Sequence, residues 1–242
     1  MDGARVSMGV AGRTGDVNAP TVLNSGFSFR QFWDGRAADL EEQAAGPVHN
    51  PLEMATDWKQ VLAKLDQDPA LQRLAQSAYG RPLDAEVITS ALATFQRTLV
   101  TPDSAFDQYL RGDGAALDAE AQAGWGLFRG LGCVACHQGI NLGGNMYANL
   151  GVMQDFFAGR PAAKADLGRY NVTGREADKH LFKVPTLRNV ARTAPYFHDG
   201  GVASLEEAVR LMARHQLGLE LPPADVRRLV AFLRSLDGRL PT

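Results

Sequence analysis

Only two cysteines occur in the sequence, which excludes a fold stapled by several disulfides. No apolar run approaches the roughly 20 residues a helix needs to cross a bilayer, so no membrane span is expected. Neither sign of charge dominates. With 25 basic and 27 acidic residues the formal net charge is −2, and overall electrostatics argue against nucleic acid or an anionic membrane surface as partner. There is no internal repeat, no low-complexity tract, and no histidine before His49. The opening Met-Asp-Gly-Ala-Arg-Val-Ser lacks the apolar stretch of a secretory signal. What is present is an ordinary globular composition, 45% hydrophobic and 21% charged, enough for one large domain or two small ones.

The two cysteines stand together in Cys133-Val-Ala-Cys136-His137. Two thiols at this spacing, followed at once by an imidazole, form the attachment signature of a c-type haem. Cys133 and Cys136 would add across the porphyrin vinyl groups, and His137 would sit under the iron as proximal ligand. Two other uses of a C-x-x-C pair fit less well. A redox dithiol is expected beside a βαβ pattern, which is not found. A zinc site would need two more ligands from five histidines with no further cysteine.

Turn residues dominate 1–36, where Phe27, Phe29, Phe32 and Trp33 form an aromatic cluster expected to wrap something and leave water. A short helix is predicted over 37–45, stopped by Gly46-Pro47. Three more follow between 56 and 99, opened by Thr56 or Asp57, by Pro69 and by Asp84; the last has the apolar face Val87, Ile88, Leu92, Phe95 and Leu99. A short helix near Phe106 leads to Arg111-Gly-Asp-Gly114, the expected domain boundary. A helix over 118–131 delivers the chain into the cysteine motif. The glycine-rich stretch 138–179 has no periodicity and reads as a long loop folded over the cofactor. Ser204-Leu-Glu-Glu207 forms a capping box that opens a helix with Leu205, Ala208, Val209 and Met212 facing inward. A final helix spans 222–236.

A low-spin electron-transfer haem needs a sixth ligand. Met212 faces inward, yet a methionine on an apolar helix face is ordinarily core. His49, His180, His198 and His215 compete, and periodicity does not choose among them.

The strings Asn18-Ala-Pro-Thr-Val-Leu-Asn24, Gln31-Phe-Trp-Asp-Gly-Arg36, Glu42-Gln-Ala-Ala-Gly-Pro47, Asn50-Pro-Leu-Glu-Met54, the cysteine motif, Phe182-Lys-Val-Pro-Thr-Leu-Arg-Asn189 and Thr193-Ala-Pro-Tyr-Phe-His-Asp-Gly200 together resemble the bacterial dihaem cytochrome c peroxidases. The resemblance runs in order from about Val6 to the C-terminus. It implies a mostly α-helical fold of two cytochrome-c-like domains, each with one covalent haem in the family; here 1–112 would be a remnant of the N-terminal, peroxidatic haem domain without its CxxCH, and 113–242 the C-terminal, electron-transfer c-type haem domain. It implies reduction of hydrogen peroxide with electrons from a small cytochrome c or cupredoxin, in a periplasmic protein, usually a homodimer. The C-terminal haem would accept electrons with His137 and Met212 as ligands. A tyrosine in place of Met212 would point instead to the related oxidases that modify a protein tryptophan. Trp33 would lie between the haems, Gln43 and Glu53 would serve the peroxide site, and a calcium ion would be held by Asn18, Thr193 and Pro195.

The sequence departs from this resemblance in two ways. The family's first CxxCH is absent, so one haem can be attached here where an intact parent carries two. The expectation is that the true beginning is lost, with Met1 an internal methionine, and that the fragment alone is inactive or nearly so. A one-haem electron-transfer cytochrome is the competing reading. Second, many members place a histidine in the early loop that caps the resting peroxidatic iron, and Val10 stands at that position. An intact parent would then need no reductive activation.

Overall fold

A computed structural model describes residues 3–241. Met1, on which the expected loss of the beginning turns, lies outside them. The fold is mostly helical, as expected, with long irregular connections. Its main helices are α1 (Leu40–His49), α2 (Trp58–Leu65), α3 (Pro69–Tyr79), α4 (Ala85–Thr98), α5 (Ala105–Leu110) and α6 (Ala119–Gly130). These are followed by α7 (Tyr170–Thr173), α8 (Leu205–Leu217) and α9 (Pro223–Arg234). Among the described residues no helix is long and apolar enough to cross a membrane.

Short polar side chains start most of these helices. Asp39, Asp57, Asp68, Asp84, Ser104 and Asp118 each accept a first-turn backbone N–H, a cap typically worth about 1 kcal/mol. Helix α1 packs on α4 at one end of the molecule; at the other, α6 crosses α9 and α8 leans on α9. Phe106, Phe128, Val226, Leu229, Phe232 and Leu236 form the core of the second group, so α5 belongs to it through Phe106. Gly124 lets α6 approach α9 closely, since a Cβ there would fall 1.9 Å from the Arg228 carbonyl oxygen.

Two polar links fasten the early part of the chain to the late part. Arg188 makes paired hydrogen bonds of 2.9 and 2.8 Å to Asp107, both side chains largely buried. Thr101 Oγ1 accepts from Asn24 Nδ2 at 2.8 Å and from Asn189 Nδ2 at 2.6 Å, and all three residues are buried.

Four local expectations are corrected. Gly46-Pro47 does not end α1: Asp39 delays its start, and the helix runs through Pro47 to His49, closed by the Asn50 N–H on the Gly46 carbonyl. On α4 Val87 is buried but Leu92 and Phe95 are 46% and 62% exposed, because Thr89 and Ala93 turn toward α1 instead. Phe27 and Phe29 stay 43% and 40% exposed; Phe29 meets Tyr147 edge-on and does not enter a core. At α8 only half of the capping box forms, with Ser204 accepting from Glu207 N–H while the Glu207 carboxylate turns to Arg210. The complete box is at Ser104 and Asp107.

The 138–179 stretch is irregular as expected, apart from α7, two 3-10 turns and one short strand. Strand β1 (Tyr147–Asn149) pairs antiparallel with β2 (Leu181–Lys183), Ala148 opposite Phe182. This small ribbon pins the loop against the Trp33 region, because the Lys183 N–H donates to the Trp33 carbonyl at 2.8 Å.

Candidate functional site

Between α6, α8, the β1–β2 ribbon and the loops near residues 18–33 and 193–198 lies a cavity of about 440 Å³. That is within the range of cofactor pockets. Its wall is mainly apolar, and Cys133, Cys136, His137, Met212 and Trp33 all line it. The cysteines are free thiols on the turn that ends α6. Burial raises the Cys133 pKa, which suits an inert thiol awaiting a covalent partner better than a reactive thiolate.

His137 is held in one protonation state. Burial pushes its pKa down to about 4, against the smaller effects of the Leu142 and Pro185 backbone, so the ring is neutral at pH 7. Its Nδ1 lies 3.3 Å from the Leu142 carbonyl, an acceptor only, so the proton sits on Nδ1. The Nε2 lone pair is then left for a metal, the arrangement in which a carbonyl fixes the tautomer of a metal-binding imidazole. Two half-buried thiols, an imidazole whose Nδ1 is already bonded and an apolar wall fit a c-type haem.

The other histidines are spent elsewhere. His49 packs edge-on to Trp58, His180 Nδ1 bonds the Asp166 carbonyl at 2.8 Å, and His215 Nδ1 bonds the Gln154 carbonyl at 3.0 Å. None of these three lines the cavity. His198 does, but its Nε2 is bonded to Asp166 Oδ1 at 2.7 Å and its Nδ1 is sealed from solvent space. Met212, carried inward by α8 beside Ala208 and Val209, is left facing the cavity that His137 faces.

Asn18, Thr193 and Pro195 also line this cavity. Asn18 is 4% exposed; its Nδ2 donates to the Ala4 and Arg5 carbonyls at 3.0 and 3.2 Å, and its own N–H donates to the His198 carbonyl at 2.7 Å. The Asn18 Oδ1 and the carbonyls of Thr193 and Pro195 accept no hydrogen bond from any described residue. Neutral oxygens left open in this way suit a hard cation. Among the described residues there is no cluster of three or more His, Cys, Asp or Glu that could hold a metal.

Gln43 and Glu53 are not part of the cavity wall. Gln43 is half-buried on α1; Glu53 follows it in the next turn, where its Oε1 accepts from Asn50 Nδ2 at 2.6 Å. The Glu53 carbonyl accepts the Val10 N–H at 2.7 Å, so the early loop lies directly against this turn. Gly9 is required for that approach, since a Cβ there would lie 2.0 Å from the Leu52 carbonyl. Trp33 is on the cavity wall, where its indole N–H donates to the Asn18 carbonyl at 2.8 Å.

Sequence reasoning missed Lys183, which is buried on the cavity wall, and the Leu142 carbonyl that orients His137. A lysine between apolar residues at 181–184 was the available signal for the first. The second is a main-chain contact and leaves no mark in residue identity.

Known proteins resemble this chain over almost its whole length. The profile of the family described as di-haem cytochrome c peroxidase matches residues 1–115. The cytochrome c peroxidase Ccp of Escherichia coli K12 is 52% identical over 239 residues, 98% of this chain and 51% of that protein. The cytochrome c551 peroxidase of Nitrosomonas europaea is 46% identical over 241 residues, 99% of this chain and 71% of that protein. The chain thus spans about half the length of the first and seven-tenths of the second. Among solved structures, a MauG-like protein associated with microbial copper homeostasis superposes with a TM-score of 0.86 at 28% identity, covering 98% of this chain and 80% of that one. A haem-attachment motif on the wall of an apolar cavity, with these likenesses along almost the whole sequence, leads to one conclusion: the chain belongs to the di-haem cytochrome c peroxidase family.

Proposed function

We propose that this chain carries the electron-entry half of an enzyme that reduces hydrogen peroxide to water, using electrons from a small cytochrome c or a cupredoxin. The observation that carries the reading is that Cys133, Cys136, His137 and Met212 line one mainly apolar cavity, with the His137 Nδ1 bonded to the Leu142 carbonyl. A haem held there through Cys133 and Cys136 would supply one-electron redox chemistry. His137 and Met212 are the residues proposed to hold its iron, and a soft thioether would favour the ferrous state and a high potential.

Trp33 is proposed to couple this site to a second one. There the Glu53 carboxylate, oriented by Asn50, would move a proton between the two peroxide oxygens, with Gln43 beside it as a polar partner. The proposed division is a peroxidatic half in 1–112 and an electron-transfer half in 113–242, with α5 lapping onto the latter. The two cysteines of these 242 residues can hold one haem; a second needs cysteines beyond them. With Val10 beside Glu53 and no histidine before His49, the peroxidatic site is proposed to be open without reductive activation. Calcium is proposed at Asn18 Oδ1 and the Thr193 and Pro195 carbonyls, and the working form is proposed to be a periplasmic homodimer.

The cysteine count favours one other reading, a one-haem electron-transfer cytochrome. Met212 speaks against an oxidase of the tryptophan-modifying type, for which the resemblance implies tyrosine. The deciding experiment uses protein expressed from the native locus: haem content by pyridine haemochrome, and steady-state peroxide turnover with reduced cytochrome c. Two haems and rapid turnover support the peroxidase; one haem and no turnover leave the electron carrier.

A further inference from the structure

Lys183 is 8% exposed, and its side chain makes no hydrogen bond or ion pair with any described residue. Burial alone acts on it, pushing its pKa down to about 8. Leaving an ammonium group without a partner inside a protein costs several kcal/mol, so such groups are paired when the protein is complete. The partner cannot be a side chain of the wall: the cavity is lined by no Asp, no Glu and no Arg, and Lys183 is its one lysine. The counter-ion must therefore arrive with whatever fills the cavity.

A porphyrin of the haem type brings two propionate carboxylates. We propose that the Lys183 ammonium is the counter-ion of one propionate of the haem held by Cys133 and Cys136, and that this pair raises the potential of that haem. The proposal rests on the haem reading given above. Its position is fixed by the backbone, because Lys183 is in β2, paired across from Tyr147, and its N–H is tied to the Trp33 carbonyl at 2.8 Å. A fixed cation near the iron stabilises the state with the extra electron, and a low-dielectric wall lengthens its reach.

The test is potentiometry of the holoprotein, with haem content measured alongside. Lys183→Met should keep haem attachment and shift the reduction equilibrium of this haem toward ferric by about tenfold, or about 59 mV for one electron. Lys183→Arg, which keeps the charge, should restore most of it. An unchanged potential in Lys183→Met with full haem content overturns the proposal while leaving the haem reading intact. A wild-type chain that binds no haem overturns the haem reading itself. If Lys183→Met fails to mature, a crystal structure of the wild-type holoprotein decides: the Nζ within about 3 Å of a propionate oxygen supports the pair, and an Nζ bonded elsewhere overturns it.

Discussion

The indole N–H of Trp33 donates to the backbone carbonyl of Asn18 at 2.8 Å, while the Asn18 side chain reaches the other way to the Ala4 and Arg5 carbonyls. One buried residue thus ties the aromatic ring on the cavity wall to the beginning of the described chain. Its Oδ1, like the carbonyls of Thr193 and Pro195 that line the same cavity, accepts no hydrogen bond from any described residue.

Asn18→Ala should cost about 1–3 kcal/mol, because its two part-buried hydrogen bonds to the Ala4 and Arg5 carbonyls are lost, each typically worth about 0.5–1.5 kcal/mol. Urea unfolding measures this. Added calcium should raise the thermal midpoint of the wild type, as any ligand of the folded state does, and should leave Asn18→Ala unmoved. An equal rise in both proteins would remove Asn18 from the cation site.

Arg188 and Asp107 form a largely buried pair between the late and early parts of the chain. Removing one member strands the other, so Arg188→Ala should lower stability by about 3–5 kcal/mol. The Asp107 carboxyl is subject to burial, which would raise its pKa, but Arg188 and Ser104 outweigh this and hold it below the usual carboxylate range. A depressed folded value means the contribution is present above the ordinary carboxylate pKa and is lost as pH falls through the folded one. Acid unfolding of Arg188→Ala should accordingly be flatter below about pH 4 than that of the wild type. Parallel acid profiles would show that this pair is not what acid breaks.

Gly124→Ala places a methyl group 1.9 Å from the Arg228 carbonyl oxygen, at the crossing of α6 and α9. Overpacking of this kind costs typically 1–3 kcal/mol, and backbone cannot move aside as a side chain can. The urea midpoint should fall. Gly126, two residues on, has open space, and Gly126→Ala should be neutral or stabilising.

Glu53→Ala, in the enzyme with its full haem complement, should leave haem attachment alone and depress peroxide turnover by a factor of about one hundred or more. Asn50→Ala, which removes the 2.6 Å bond to the carboxylate, should fall between the two. Wild-type turnover in Glu53→Ala would take Glu53 out of the mechanism.

Much of this arrangement could be read from residue types. The aspartate and serine caps gave helix starts to within a residue or two, and the spacing of Leu205, Ala208, Val209 and Met212 turned Met212 inward as found. Other elements were decided by long-range contacts. Leu92 and Phe95 read as core because their spacing is helical, yet the neighbour that α4 meets is α1, against Thr89 and Ala93. Pro47 read as a stop, but in the last turn of α1 its missing N–H costs only one bond. The Asp166–His198 pair, which takes His198 out of contention as a ligand, joins residues 32 positions apart in irregular loops. No periodicity announces such a contact.

The most direct test of the account is the optical spectrum of this chain after maturation with haem, wild type beside Met212→Ala. The account predicts one covalent haem per chain in both proteins, with a thioether-to-iron charge-transfer band in the ferric wild type that Met212→Ala loses as its potential falls. No covalent haem in the wild type, or the same band in both proteins, would contradict it.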